Sequence, residues 1–179
     1  PHPLLYKAKH VRQERYLKDE HELKQHLLKL ALSESELYTS AEGPRLAPET
    51  FESVAQEYLL AEAVIQRESR LIDEEVLYAL LKHSPELDLA DEHKARESAA
   101  RLKAVLADDK LSIEARFDEK LERYVLAIHR TQHGVMRGSY IDSDFLQGGD
   151  YAQILKTAHV IHGLLREGAC VVLADIDET

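Results

Sequence analysis

Ten histidines and a single cysteine are the first side chains to test for chemistry in this 179-residue chain. His129 and His133 stand four apart, but the pattern around them is that of a strand followed by a turn. His159 and His162 stand three apart on a helical stretch, with no carboxylate or cysteine on that face. No histidine has a glutamate three residues before it, which removes the Glu-x-x-His pair of di-iron bundles. His-Glu-x-x-His is absent as well, so no residue is assigned to a metal, and the histidines read as solvated or core-edge side chains. Cys170 lies in the apolar run Ala169-Cys170-Val171-Val172-Leu173 and reads as a buried inert thiol. A lone cysteine forms no internal disulfide, which suits a reducing cytoplasm.

Nucleophilic and acid–base chemistry find no better footing. There is no Gly-x-Ser-x-Gly elbow, and Ser139 or Ser143 would join His133 and Asp142 in a triad only by an accident of folding. The carboxylate pairs Glu74-Glu75 and Asp108-Asp109 sit in charge-rich helix ends and read as solvated. Gly148-Gly149 precedes a helix whose N-terminus could hold an anion, but Asp150 supplies a negative capping group there itself. No catalytic residue is assigned.

Charge is informative through its distribution. The net charge is -10. Residues 1–30 carry seven Lys/Arg against four Asp/Glu, residues 31–120 carry 11 against 21, and residues 121–179 carry five against eight. The acidic middle repels phosphate. If DNA meets this chain, the candidate contacts are Lys7, Lys9, Arg12, Arg15 and Lys18, because phosphate affinity comes from displaced counterions. The competing reading is that these are solvated strand and loop charges. No apolar run approaches the roughly 20 residues that cross a bilayer, so no membrane partner is expected.

The elements that must position these residues follow from periodicity. Residues 4–9 and 14–18 have the alternating, aromatic character of two short strands joined by a turn at His10 to Gln13. From Asp19, Leu23, Leu27, Leu30 and Ala31 recur at helical spacing up to Ser33. A short strand is expected at Glu36–Thr39, then the breaker Gly43-Pro44. Pro48 opens a helix with Phe51, Val54, Ala55, Tyr58, Ala61 and Ile65 on one face, and Ile72 to Leu81 continue helical spacing to Ser84-Pro85. A further helix spans about Asp91 to Leu106. The period then shifts to two: Ile113, Ala115 and Phe117 alternate, then Tyr124, Leu126 and Ile128, with Val125, Ala127 and His129 on the other side, as in antiparallel sheet. The sheet continues past Gly134 to Tyr140. Asp150 caps a last helix with Ile154, Ala158, Ile161 and Leu165 inward, stopped by Gly168, and a strand follows at Cys170–Leu173. The fold class is α+β, a helical lobe of about four to five helices with small antiparallel β patches.

Several runs carry a family resemblance. They are Pro3-Leu4-Leu5-Tyr6-Lys7-Ala8-Lys9 and Gln13-Glu14-Arg15-Tyr16-Leu17-Lys18-Asp19, then His133-Gly134 with Tyr140-Ile141-Asp142-Ser143-Asp144-Phe145-Leu146, then Gly149-Asp150-Tyr151 leading to Gly163-Leu164-Leu165-Arg166-Glu167-Gly168-Ala169. In this order they resemble the part of the bacterial DNA gyrase B protein where the metal-binding Toprim domain is interrupted by the long insert of Gram-negative enzymes. With no initial methionine, the chain reads as a piece of a longer protein. The resemblance implies a Toprim-flanking hairpin at 1–18, the insert at 19–169 and a return strand toward Toprim at 170–179. It departs from the family in having two leucines before Tyr6 and an acidic rather than basic C-terminal end.

The resemblance implies a parent that is an ATP-hydrolysing type II topoisomerase introducing negative supercoils in the cytoplasm. Mg2+ and ATP belong to that parent, and the fragment is expected to hold neither. The Glu-Gly-Asp motif, the ATP-binding motifs and a Gln-Arg-Tyr-Lys-Gly-Leu-Gly-Glu segment are missing from the chain. What remains is expected to be a non-catalytic module that braces the DNA gate and aids DNA binding and its coupling to ATP hydrolysis. Its partners would be the Toprim domain of gyrase B, the gyrase A subunit and DNA. The alternative is a free-standing helical interaction module that docks a partner through the Phe51, Tyr58 and Ile65 face.

Overall fold

The computed structural model describes residues 6–10, 13–17, 32, 35–40, 42–106, 108–165 and 169–173. Strands β1 (Tyr6–His10) and β2 (Gln13–Leu17) pair antiparallel, as alternation predicts. Of the helix expected from Asp19 to Ser33 only Leu32 is described, and it is helical; the rest lies outside the described residues. Strand β3 (Ser35–Tyr38) then pairs with a strand far away in sequence. The partner is the last described element, β7 (Cys170–Leu173), in antiparallel register from Ser35↔Leu173 to Tyr38↔Cys170.

After β3 the chain reverses, with the Thr39 N–H donating to the Pro44 carbonyl at 3.1 Å and the Leu46 N–H to that of Leu37 at 2.8 Å. Gly43 is needed here. A Cβ at that position would collide with the hydroxyls of Thr39 and Ser40 and come within 2.8 Å of the Ser40 nitrogen. Helix α1 (Pro48–Glu68) follows, with Pro48 in the first position, Glu49 in the first turn and Arg67 in the last, each matched to the helix dipole.

The chain divides into two compact units, residues 1–55 with 164–179, and residues 56–163. In the second unit the helical run expected to continue to Ser84 is interrupted at Ser69–Asp73. The Leu71 and Ile72 N–H groups both turn back to the Glu68 carbonyl at 2.9 Å. Asp73 then opens a new helix, α2 (Glu74–His83), its carboxylate accepting from the Glu75 and Val76 N–H groups at 3.2 and 3.3 Å. At the other end Ser84 takes a left-handed conformation, φ 43°, since Pro85 disfavours right-handed helix at the residue before it.

Helix α3 (Glu92–Leu106) buries Ala95, Ser98, Ala99 and Leu102. The Ser98 hydroxyl is fully buried and satisfied by one loop residue: it donates to the Asp88 carbonyl at 3.0 Å and accepts from the Asp88 N–H at 2.8 Å. A three-stranded antiparallel sheet follows, β4 (Leu111–Asp118), β5 (Arg123–Gln132) and β6 (Val135–Ile141), in that spatial order. His133 and Gly134 both have positive φ, 50° and 76°, and join β5 to β6 as a two-residue turn whose twist matches the strands.

Burial in the sheet does not follow alternation alone. Val125 and Ala127 are as buried as Leu126 and Ile128, because β5 is the central strand and is covered on both faces. Phe117 is 48% exposed and lies at the strand end, where the core face runs out, packed edge-on against cross-strand Tyr124 at 5.2 Å.

A short helix not foreseen from the sequence, α4 (Ser143–Gln147), is capped by Asp142 accepting from the Phe145 N–H at 2.9 Å. Helix α5 (Gly149–Leu164) buries Tyr151, Ile154, Thr157 and Ala158. Ile161, expected inward, is only half-buried. Leu77, Leu80, Leu102, Leu126, Ile128, Ile141 and Ile154 are fully enclosed at the centre of this unit's core. No described helix is long and apolar enough to cross a membrane.

Candidate functional site

Of the five basic candidates, Lys7 and Lys9 fall on β1 and Arg15 on β2. The hairpin register sets Lys7 opposite Tyr16, Lys9 opposite Glu14 and Arg15 opposite Ala8, so three cations share one two-stranded ribbon. Arg12 and Lys18 lie outside the described residues.

The strongest electrostatic construction lies elsewhere and was not anticipated. Arg130, near the end of β5, is 15% exposed and meets three carboxylates. Its guanidinium forks onto Asp73, with Nε to Oδ2 at 2.5 Å and one terminal nitrogen to Oδ1 at 2.9 Å. Its other terminal nitrogen reaches Asp108 at 2.9 Å, and Glu75 lies 3.0 Å from the guanidinium. Asp73 is also the cap of α2, and its N–H donates to the Ser139 hydroxyl of β6 at 3.3 Å. One arginine thus ties the start of α2, the turn before β4 and strands β5 and β6 together. The hydrogen bonds it donates to Asp73 raise the Arg130 pKa further. The Asp108 carboxyl is held below its ordinary value by the Lys110 N–H and by Arg130.

Glu74, Glu75 and Asp109 are exposed, as expected of solvated carboxylates, and Asp108 is half-buried. Glu74 accepts from Gln66 at 3.0 Å, Glu75 and Asp108 serve Arg130, and Asp108 also accepts from the Lys110 N–H at 2.9 Å. Asp150 is not the expected cap. It sits inside the first turn of α5 and pairs with Arg67. Arg67 holds the Asp150 carboxyl low, while burial and the adjoining Asp150 push that of Glu68 up. A second tie joins α1 to α5, where Glu57 accepts from Lys156 at 2.8 Å and from Gln153 at 3.1 Å.

The histidines whose side chains are described do not converge. His159 is exposed, His162 lies 2.6 Å from the Lys82 carbonyl, His133 occupies a turn, and His93 sits 4.0 Å from Glu97 on an exposed helix face. Among the described residues no three His, Cys, Asp or Glu side chains cluster as metal ligands. Among the described residues one spacing that metal-binding carboxylates use does occur, Asp142-Ser143-Asp144, but it is consumed structurally. Asp142 caps α4 and Asp144 pairs with Arg123 at 2.8 Å. The Ser139 hydroxyl accepts from the Asp73 N–H.

A cavity of about 440 Å3 opens beside the Arg130 node. Its walls are the Ser69–Glu75 segment on one side and Arg130, Gln132, Arg137, Gly138 and Ser139 of the sheet on the other. Its polar, open lining suits ions or an extended chain better than an apolar small molecule.

Comparison with known proteins finds two families along the chain. Residues 35–176 match the DNA gyrase B subunit insert domain, and residues 3–32 match the GyrB hook.

Proposed function

From a chain that belongs to the DNA gyrase B subunit insert domain family, we propose a non-catalytic module that braces the DNA gate of a supercoiling topoisomerase and helps couple ATP hydrolysis to DNA. The Toprim domain, the gyrase A subunit and DNA are its partners in this reading, and Mg2+ and ATP are cofactors of the parent enzyme alone. The observation that carries it is the pairing of β3 with β7. These strands lie near the two ends of the matched insert, residues 35–176, and run side by side in opposite directions. A module interpolated into a host must leave it and return at neighbouring points. Paired strands, with Cα atoms about 5 Å apart, supply that geometry. The ion-paired ties at Arg130, Arg67 and Glu57 suit a brace, which works by holding shape rather than by reacting.

Direct DNA contact is assigned to the β1–β2 ribbon and its flanks, Lys7, Lys9, Arg12, Arg15 and Lys18. The test is DNA affinity of the chain across a salt series, beside a variant with all five changed to alanine. The expected result is a salt-dependent affinity whose log–log slope falls by roughly 0.9 for each phosphate that the variant no longer neutralises. No binding at low salt would leave protein contacts as the only route of action. The alternative of a free docking face at Phe51, Tyr58 and Ile65 has less support, because Ile65 is fully buried and Phe51 half-buried, leaving Tyr58 as the exposed one of the three.

A further inference from the structure

Strand β6 ends the sheet, pairing with β5 on one side and with no described strand on the other. The direction of its backbone groups follows from the register. The Thr131 N–H donates to the Lys110 carbonyl at 3.0 Å, toward β4, so the N–H and C=O of the preceding Arg130 turn toward β6 and its partner there, Arg137. Alternation then turns the N–H and C=O groups of Met136, Gly138 and Tyr140 outward, where they bond no described residue. Exposed edges are usually blunted by proline, lysine or a bulge. β6 has neither proline nor bulge, Arg137 is its one charged residue, and its register runs unbroken from Val135 to Ile141.

We infer that the free edge of β6 takes an extended, acidic peptide segment of a partner protein as a fourth strand. Two faces define that segment. On one, Met136 and Tyr140, 69% and 50% exposed, flank Gly138, which leaves a gap between them. Across from Gly138 stands His129, whose Nδ1 lies 3.4 Å from where a Cβ would be. An aromatic side chain opposite Gly138, with β-branched neighbours two positions either side, covers this face.

The other face supplies the charge. Arg137 stands directly across from Arg130, an arrangement of like charges that costs stability unless each finds an anion. Arg130 has Asp73, Asp108 and Glu75; Arg137 makes no ion pair with any described residue, and neither does Arg70. Both unpaired arginines line the 440 Å3 cavity with Ser69 and Gln132. Of the cavity's own carboxylates, Asp73 and Glu75 are paired with Arg130, while Glu74 accepts from the neutral Gln66 amide and keeps its charge. A strand added to β6 sends alternate side chains over that cavity, so carboxylates at those positions meet Arg137 and Arg70 while its backbone meets the open edge. Backbone pairing gives affinity and alternate side chains give specificity.

The test uses the full chain and the labelled peptide acetyl-Thr-Val-Thr-Phe-Glu-Val-Glu-amide, with a counterpart carrying lysine for both glutamates. Binding of the acidic peptide is expected to slow amide exchange at Met136, Gly138 and Tyr140. Arg137→Glu is expected to weaken it at least about tenfold and to favour the lysine counterpart. Gly138→Pro, which removes one outward N–H at an edge position that tolerates proline, is expected to abolish binding, and Gly138→Ala to preserve it. Equal affinity for both peptides, or binding without edge protection, would overturn the inference. So would edge protection that rises with protein concentration alone, which means a second copy. Duplex DNA that is released by Arg137→Glu while the edge amides stay unprotected would also overturn it, making these arginines phosphate contacts.

Discussion

Arg130 gathers more of the second unit than any other polar side chain described. Its replacement by alanine leaves Asp73, Asp108 and Glu75 beside one another without a cation. Because the pair is only partly enclosed, the loss is moderated by solvent and amounts to ~2 kcal/mol in urea unfolding. Asp108 sets a pH signature. Its folded pKa lies below the usual carboxylate value of 3.8, so the folded state binds this proton less readily than the unfolded chain. The stability it contributes is present above that value and is lost as pH falls through the depressed folded pKa. Asp108→Asn should therefore flatten the acid limb of stability against pH below about pH 4, measured by thermal unfolding in a pH series. A limb unchanged in the variant would show that Asp108 carries none of it. This node was invisible in the sequence, since Asp73, Asp108 and Arg130 are far apart along the chain and share no periodic pattern.

At the scale of elements, local signals served well where one rule dominated. Pro48 opened α1, Pro85 closed α2 and Gly134 marked the β5–β6 turn. Apolar spacing misled where it bridged a break. Ile72 and Val76 keep the rhythm of α1, yet Asp73 caps a new helix, and capping is a contact that spacing does not encode. Alternation on β5 hid the burial of Val125 and Ala127, because cover on the second face of an antiparallel sheet is set by tertiary packing that spacing does not encode. The positive φ at His133 gives an element-level prediction. His133→Asn, better suited to left-handed backbone, should raise stability by roughly 0.5 kcal/mol, and Gly134→Val should lower it by ~1 kcal/mol or more. A Cβ at 134 meets nothing within 4 Å, so that cost is conformational and not steric. Equal unfolding midpoints for both variants and the parent chain would refute this account of the turn.

For the whole molecule, charge divides between a basic N-terminal segment and an acidic remainder. The candidate DNA residues rest on charge alone, and the register of β1 with β2 places three of them on one ribbon. The pairing of β3 with β7 was not legible, because a strand's partner 130 or so residues away leaves no local trace. That pairing also shows where the module can be cut out to test the proposed brace. In the gyrase B protein that carries this chain, Thr39–Ala169 can be replaced by Asn-Gly, which converts β3 and β7 into a two-residue hairpin. Supercoiling by the reconstituted enzyme and its ATPase are then measured with and without DNA. ATP hydrolysis without DNA is expected to persist while DNA stimulation and supercoiling are largely lost. Supercoiling and DNA stimulation at the level of the intact enzyme would contradict a bracing and coupling role.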